Sequence, residues 1–288
     1  MNINWYPGHM TKTKGLIKGQ LKIVDVIIEL LDSRIPVSSK NPDIDGMVGL
    51  KPRVVVLNKC DIANSLATKE WISHFKKNGV QAVAVDSISG KGFNKIHSAI
   101  TFVLRDKIKR DLEKGMKKRP PKIMIVGIPN VGKSSFINRL AGRASAKTGD
   151  KPGITKAKQW INISGGYDLL DTPGILWPKF DEATGLSLAF TGAIRDEVFD
   201  IVDVACRLSY FLAKAYPENI QQRYKLSEIS TKTGYEILSE IGSNRGCLIS
   251  GGEIDLQRAS EILLDEFRAG ILGFITLERA GEAVLSYE

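Results

Sequence analysis

Cysteine is scarce in this sequence, and its scarcity narrows the class of protein. The 288 residues include three cysteines, Cys60, Cys206 and Cys247, which lie far apart along the chain. An odd, scattered set of this kind forms neither a disulfide framework nor the paired ligand spacing of a zinc site. We therefore expect a protein of a reducing compartment, with a cytoplasmic location.

Long apolar runs are also missing. No stretch of about eighteen consecutive apolar residues occurs, so neither a membrane-spanning helix nor a membrane partner is expected. Residues 1–9 lack the basic region and the apolar segment of a signal peptide. The hydrophobic fraction of 43% and the charged fraction of 25% are instead typical of a globular protein with a sizeable core.

Acidic residues are few in the first part of the chain. Residues 1–180 hold 31 Lys and Arg against 14 Asp and Glu, whereas residues 181–288 hold 10 against 18. An excess of positive charge on one part indicates a polyanionic partner, and nucleic acid is favoured. A basic surface that is merely solvated is the alternative that the charge count leaves open.

Four apolar runs are predicted to be buried strands: Val24–Leu31, Arg53–Leu57, Val80–Val85 and Lys122–Val126. Helical stretches are predicted over residues 68–78 and 92–116, and a further helix begins at Ser135. This alternation predicts a parallel sheet with helices on both faces. Gln159–Ile163 and Tyr167–Leu170 are predicted to form a hairpin.

Beyond residue 181 the pattern changes to helices alone. Apolar residues recur at helical spacing, for example Ile201, Val204 and Leu208, which places them on one face of a helix. We therefore expect two domains, an α/β domain over residues 1–180 and an all-α domain over residues 181–288.

A phosphate-binding loop is predicted at Gly127–Ser134, which fits G-x-x-x-x-G-K-[ST] between a strand and a helix. Its glycines allow backbone amides to converge on phosphate oxygens, and the helix N-terminus adds partial positive charge. Lys133 is expected to reach the β- and γ-phosphates and to act in catalysis, while the Ser134 hydroxyl binds Mg²⁺. The remaining phosphate-binding residues are Asn130, Val131, Gly132 and Ser135. A plain glycine-rich turn is the alternative.

The choice of base comes from Asn58-Lys59-Cys60-Asp61, an N-K-x-D pattern at a strand end. The Asp61 carboxylate is expected to accept hydrogen bonds from the N1–H and N2–H₂ groups of guanine, a donor pair that adenine lacks. Lys59 is expected to lie along the base and Asn58 to brace the loop. The backbone at Ser87 and Ile88 is a weaker candidate, for guanine O6, and an ordinary turn is its alternative.

The predicted metal and γ-phosphate contacts come from two later segments. Asp171-Thr172-Pro173-Gly174 supplies a carboxylate for the water shell of Mg²⁺ and a glycine amide for the γ-phosphate. Thr155 is the candidate switch threonine for Mg²⁺. The expected ligands are therefore GTP or GDP with Mg²⁺.

The order of these motifs is permuted. The base-reading segments precede the phosphate-binding ones, whereas small GTPases have the reverse order. Ligand position depends on strand ends and not on chain order, so a permuted sheet keeps the same site. The predicted fold class is an α/β, circularly permuted P-loop GTPase sheet followed by an all-α C-terminal domain.

The catalytic arrangement is the least decided part. Ile175 stands where many GTPases have a glutamine that orients the attacking water. Another group, an ion or a partner must then assist hydrolysis. Asn130 resembles the asparagine that holds K⁺ near the phosphates in potassium-stimulated GTPases, and a loop-stabilising side chain is an equal alternative.

Several local sequences resemble signatures of the bacterial ribosome biogenesis GTPase A family, the YlqF-like proteins. They are Trp5–Met10, Asp32–Pro42, Leu188-Ala189 with Thr191-Gly192, and Arg268–Gly273. The resemblance spans nearly the whole chain. It implies a factor for late assembly of the large ribosomal subunit, with that subunit and its rRNA as partners and not DNA. It also implies subunit-stimulated hydrolysis, release on hydrolysis, and a monomer off the ribosome.

His9 matches the histidine of the family's Pro-Gly-His-Met signature, to which a catalytic part is attributed. On that resemblance His9 positions or polarises the attacking water. Ordering of the N-terminal arm, or contact with RNA, is the alternative for the same residue.

Three other functions remain open at this point. The chain can be a GTPase that acts on another RNA or at a membrane. It can also be an ATP-dependent small-molecule kinase, against which Asp61 argues, or a nucleotide-regulated RNA-binding module with negligible turnover, which Ile175 allows.

Overall fold

A single sheet organises the first part of the chain. The computed structural model describes residues 15, 18–117, 119–142, 160–163, 166–170, 176–177 and 180–282. The strands of the sheet lie in the order β3 (Gln81–Ala84), β2 (Arg53–Asn58), β1 (Val26–Asp32), β4 (Lys122–Gly127), β6 (Tyr167–Leu170) and β5 (Trp160–Ile163).

Neighbouring strands are parallel except at one edge, where β5 and β6 are antiparallel. The predicted parallel sheet and the predicted hairpin are both confirmed. Every residue of β1 is buried, as expected for a central strand covered on both faces. Apart from Glu29 and the final Asp32, its residues are apolar and do not alternate with polar ones.

The helices of the first part are α1 (Pro42–Val48), α2 (Ser65–Lys77), α3 (Asn94–Glu113) and α4 (Lys133–Ala141). α1 was not predicted from the sequence; it is seven residues long and begins at the Asn41 cap. The predicted start of α2 is three residues late, because the Asn64 side chain caps that helix by accepting from the amides of Leu66 and Ala67. α3 ends at Glu113, before the predicted Met116.

The second part of the chain is helical, as predicted. It contains α5 (Glu182–Phe190), a short 3-10 helix (Asp196–Val198), α6 (Ile201–Ala215), α7 (Pro217–Tyr224), α8 (Gly234–Asn244) and α9 (Leu256–Arg268). Its described residues add one isolated antiparallel bridge, between Leu248 and Ile254. No helix in the described parts of the chain is long and apolar enough to cross a membrane.

The apolar core continues from the sheet into these helices. Ile125 of β4, Leu188 of α5 and Leu208 of α6 belong to one cluster of buried side chains. After α9 the chain returns to the first part, where the Leu277 amide donates to the Arg34 carbonyl at 2.8 Å. The division at residue 180 therefore remains a prediction about domains, made across two parts that share a core.

Candidate nucleotide-binding site

The carboxyl ends of four parallel strands form one edge of the sheet. In the register, Leu30 lies opposite Gly127, Asp32 opposite Asn58, and Leu57 opposite Ala84. The segments 58–61, 86–89 and 127–134 each leave a strand at this edge and therefore lie side by side. Their permuted order in the chain does not separate them.

The loop between β4 and α4 has the geometry that phosphate binding requires. Gly132 adopts φ +92°, and a Cβ on it would lie 2.4 Å from Nδ2 of Asn58. Only glycine combines this conformation with so close an approach. α4 begins at the next residue, so Lys133, Ser134 and Ser135 form its first turn. The first amides of a helix have no acceptor within the helix itself, which makes a helix start suited to an anion.

Asn58 joins the three loops of the site. It is almost completely buried, with 1% of its surface exposed. Its Nδ2 donates to the Val131 carbonyl at 2.8 Å. Its Oδ1 accepts from the Ser87 hydroxyl at 2.7 Å and from the Ser87 amide at 3.3 Å. One side chain thus holds the N-K-x-D loop against both the phosphate loop and the 86–89 loop.

Lys59 also connects the N-K-x-D loop to the phosphate loop. Its backbone is left-handed, with φ +58°, and its Nζ donates to the Asn130 carbonyl at 2.8 Å. The same Nζ lies 3.2 Å from Oδ2 of Asp32. These contacts position the side chain over the phosphate loop, where its methylene groups can line a base.

Asp32, which is itself paired with Arg34, anchors the Lys59 ammonium group. Asp32 accepts from Nε of Arg34 at 3.0 Å and from Nη2 at 2.8 Å. Burial by itself raises the pKa of Asp32, but the charges of Arg34 and Lys59 outweigh it and hold that pKa well below its usual value. Asp32 is therefore ionised, and a buried carboxylate with two cationic partners is a fixed anchor for Lys59.

The 86–89 loop is closed by its own aspartate and by α4. Asp86 accepts from the amides of Ile88 at 2.7 Å and Ser89 at 3.1 Å. The Arg139 guanidinium donates to the Ile88 carbonyl, and its Nε to the Ser87 carbonyl at 3.4 Å. The amides of Ser87, Ile88 and Ser89 therefore all have acceptors within the protein, while Ile88 as a residue is 81% exposed.

Asp61 and Asn130 are the candidate ligands for the base and for a cation. Asp61 is half-buried, and this burial raises the pKa of its carboxyl group. Nδ2 of Asn130 donates to the Gly192 carbonyl at 2.7 Å, which orients the amide and makes Oδ1 the atom available to a cation. Gly192 lies just after α5, so the phosphate loop touches the helical part of the chain directly.

Four predicted site residues lie outside the described residues: His9, Thr155, Asp171 and Gly174. Ile175 lies outside them too. The roles assigned to these residues remain predictions from the sequence, as do the roles in GTP and metal binding assigned to the residues described above.

No role was predicted from the sequence for Asp32, Arg34 or Arg139. The first two stand in the Asp32–Pro42 segment that was matched to a family signature, and their position at the carboxyl end of β1 was the available signal. Arg139 had no local signal, because its partners at Ser87 and Ile88 are about fifty residues away.

Separate elements of the site suit the phosphates, the Mg²⁺ ion and the base of a nucleotide. The first turn of α4 and the glycine conformation supply amides for phosphates, Ser134 supplies a hydroxyl of the kind that Mg²⁺ prefers, and the 58–61 loop supplies a carboxylate beside an aliphatic stem. When bound, Mg²⁺ adds positive charge next to the phosphates.

The chain is similar to known proteins. A family model described as a 50S ribosome-binding GTPase matches residues 122–238. Ribosome biogenesis GTPase A from Bacillus cereus is 47% identical, over 98% of this chain and 95% of that protein. The protein of the same name from Thermotoga maritima is 31% identical, over 96% of this chain and 94% of that one.

Solved structures agree with the fold. The GDP-bound structure of TM YlqF has a TM-score of 0.68 at 26% identity, over 93% of this chain and 100% of that one. The crystal structure of GNP-bound YlqF from T. maritima has a TM-score of 0.64, also at 26% identity, over 94% of this chain and 100% of that one. The predicted fold class is confirmed, and the chain is a GTPase that belongs to the ribosome biogenesis GTPase A family.

Proposed function

We propose that this GTPase binds the large ribosomal subunit through rRNA during subunit assembly and leaves it after GTP hydrolysis. The names of its relatives support a role in ribosome biogenesis, and the matching family model is described as 50S ribosome-binding. The observation in this chain that carries the proposal is a basic surface on the second half of α3 and the segment that follows.

That surface is dense in positive charge. Residues 105–122 contain nine Lys and Arg against three Asp and Glu. Lys107 and Arg119 are occupied by ion pairs with Asp25. Lys109, Lys114 and Lys117 are exposed, and none of them has an ion-pair partner within the described residues. Free ammonium groups at this spacing suit the phosphates of a nucleic-acid backbone.

The surface also offers an aromatic group. Phe102 is 46% exposed, and the Arg105 guanidinium lies 4.4 Å from its ring centroid. A stacked arginine and phenylalanine can contact an unpaired base, which single-stranded regions of RNA present. Since α3 runs back from the edge that holds the nucleotide motifs, RNA bound near its end leaves the nucleotide site open.

The proposed roles in the nucleotide site rest on the sequence motifs, and the contacts of Asn58, Lys59 and Asn130 support them. Asp61 selects guanine, and Lys59, positioned by Asp32, lies along the base. The loop amides and Lys133 bind phosphates. Ser134, Thr155 and, through water, Asp171 would hold Mg²⁺, the Gly174 amide would contact the γ-phosphate, and Oδ1 of Asn130 would be the ligand for K⁺.

Hydrolysis then needs an oriented water. The water oxygen attacks the γ-phosphorus, the bond to the bridging oxygen of the β-phosphate breaks, and GDP and phosphate leave. Lys133 stabilises negative charge that develops in this transition state. His9 is proposed to position the water once the subunit orders the N-terminal arm, because Ile175 has no group for this task.

The basic surface can be tested by sedimentation with purified large subunits and a non-hydrolysable GTP analogue. Replacing Lys109, Lys114 and Lys117 by Gln should weaken binding and flatten its salt dependence, since about one counterion is released per phosphate contact. A matched variant, Lys69, Lys76 and Lys77 to Gln, removes the same charge from exposed positions on α2 and should bind normally. Equal loss in both variants would reject a specific α3 contact, and salt-independent binding would reject rRNA backbone contact.

A further inference from the structure

The chain beyond α9 contacts residues 58–64, the loop whose Asp61 is proposed to bind guanine. We call these residues the guanine loop. We call residues Gly270–Glu278 the C-terminal strap. The Ile275 amide donates to the Ile62 carbonyl at 3.2 Å. The Asn64 amide donates to Oγ1 of Thr276 at 3.0 Å. Both acceptor and donor groups in the loop belong to the backbone that follows Asp61 directly.

The start of the strap approaches the same loop too closely for any residue but glycine. Gly270 adopts φ +74°, and a Cβ on it would lie 2.3 Å from Cγ2 of Ile62. A side chain here would displace Ile62 or move the strap away. The close packing of Gly270 shows that the strap and the loop are shaped against each other.

The end of the strap is anchored on the segment after β1. The Glu278 carboxylate, 3% exposed as a residue, accepts from the amides of Val37 at 2.6 Å and Ser38 at 3.1 Å. Its backbone carbonyl accepts from Nε1 of Trp71 on α2 at 2.9 Å. The strap therefore spans the segments on both sides of β2, from which the guanine loop emerges.

The helical part of the chain holds the strap from the other side. The Tyr216 hydroxyl donates to the Thr276 carbonyl at 2.9 Å and accepts from the Thr276 amide at 3.1 Å. Nδ2 of Asn219 donates to the Leu272 carbonyl at 2.7 Å. Thr276 thus connects α6 to the guanine loop through one residue, with its backbone on Tyr216 and its hydroxyl on Asn64.

The guanine loop has two supports, and they act on opposite sides. Asn58 and Lys59 fasten its start to the phosphate loop, and the strap fastens residues 62–64. Asp61 lies between these supports and has to keep one geometry to accept two hydrogen bonds from a base. A loop that is loose at either end must be ordered on binding, which costs affinity.

We propose that the C-terminal strap positions the guanine loop, so that nucleotide affinity depends on the seating of the strap and nucleotide binding in turn stabilises that seating. The inference rests on the proposed role of Asp61 in guanine binding. Coupling of two binding events is reciprocal, so a partner that displaces the strap promotes nucleotide release. Because the strap supports the base and not the γ-phosphate, it acts on GDP and GTP alike.

The sharpest test is Thr276→Val, which has nearly the same shape as the native residue and removes only the hydroxyl acceptor. With the partly buried Asn64 amide left without this acceptor, the dissociation constants of GDP and of a non-hydrolysable GTP analogue should both rise about three- to tenfold. Their ratio should stay constant, and kcat at saturating GTP should be unchanged. Thr276→Ser keeps the acceptor and should restore affinity. Hydrogen exchange at residues 60–64 should accelerate in the Val variant alone.

A second pair of variants covers the two ends of the connection. Tyr216→Phe removes the link to α6, and Glu278→Gln weakens the anchor at Val37 and Ser38, so each should raise both dissociation constants. Glu253→Gln changes an exposed carboxyl in the helical part and is the control for charge.

Two failures can be told apart by including Asp61→Asn. If Asp61→Asn binds GTP normally, the assignment of the guanine site is wrong and the strap inference is overturned with it. If Asp61→Asn loses affinity while Thr276→Val binds both nucleotides within about twofold of the native protein, the strap inference alone is overturned. A GDP effect without a GTP effect, or the reverse, would also contradict it.

Discussion

Asn58 is the residue on which the geometry of the nucleotide site depends most directly. Its side chain makes three hydrogen bonds, one to Val131 and two to Ser87. Asn58→Ala removes all of them and leaves the Val131 carbonyl and the Ser87 hydroxyl without this partner. Because both groups lie in loops proposed to contact nucleotide, the substitution should affect binding as well as folding.

The magnitude follows from the number of bonds and the burial of the side chain. Each hydrogen bond contributes about 0.5–1.5 kcal/mol, and a buried polar group left unpaired costs about 1–3 kcal/mol. We therefore expect a loss of roughly 2–5 kcal/mol in the free energy of unfolding. If about 1.4–2.8 kcal/mol of this loss is felt in nucleotide binding, the affinity for GDP falls about 10- to 100-fold.

The assay is equilibrium binding of a fluorescent GDP analogue, with thermal unfolding measured on the same samples. Ser87→Ala removes the hydroxyl bond at 2.7 Å and keeps the others, so its effects should be smaller, about 1 kcal/mol in stability. A folded Asn58→Ala protein that binds GDP within about twofold of the native affinity would refute the reasoning, because the bracing would then be irrelevant to the site.

Three further predictions concern the base, the cation and the attacking water. Asp61→Asn should weaken GTP binding by about 2–4 kcal/mol through loss of two charge-assisted hydrogen bonds and should improve xanthosine nucleotide binding; unchanged GTP affinity contradicts the guanine assignment. K⁺ should accelerate GTP turnover more than Na⁺, and Asn130→Ala should abolish the difference, since a held cation stabilises developing charge; equal rates in both salts remove Asn130 from the mechanism. His9→Ala should lower subunit-stimulated turnover with GTP affinity nearly unchanged, as measured beside a docking assay; lost docking would instead indicate that His9 orders the N-terminal arm.

The architecture was largely predictable because its signals are local. The buried strands β1, β2 and β4 are mostly apolar runs, and each leads directly into a motif. α1 escaped prediction because Pro42–Val48 is seven residues long and its apolar positions are too few to show a period. The start of α2 escaped because Asn64 sets it through a cap, and Asn is common in loops as well.

The site residues too were predictable only where their signal in the sequence is local. Motif residues such as Asn58 and Gly132 were found because the chemistry of nucleotide binding dictates their type and spacing. Arg139 and Thr276 were not found, because their roles arise from packing between segments remote in sequence. The Tyr216–Thr276–Asn64 connection spans more than two hundred residues along the chain, and no periodicity or spacing encodes it.

GTP turnover with and without purified large ribosomal subunits tests the central claim most directly. The account predicts slow turnover by the protein alone, strong acceleration by the subunits, and loss of that acceleration as rising salt weakens the rRNA contact. Turnover that is the same with and without subunits, at protein concentrations where sedimentation shows binding, would contradict it.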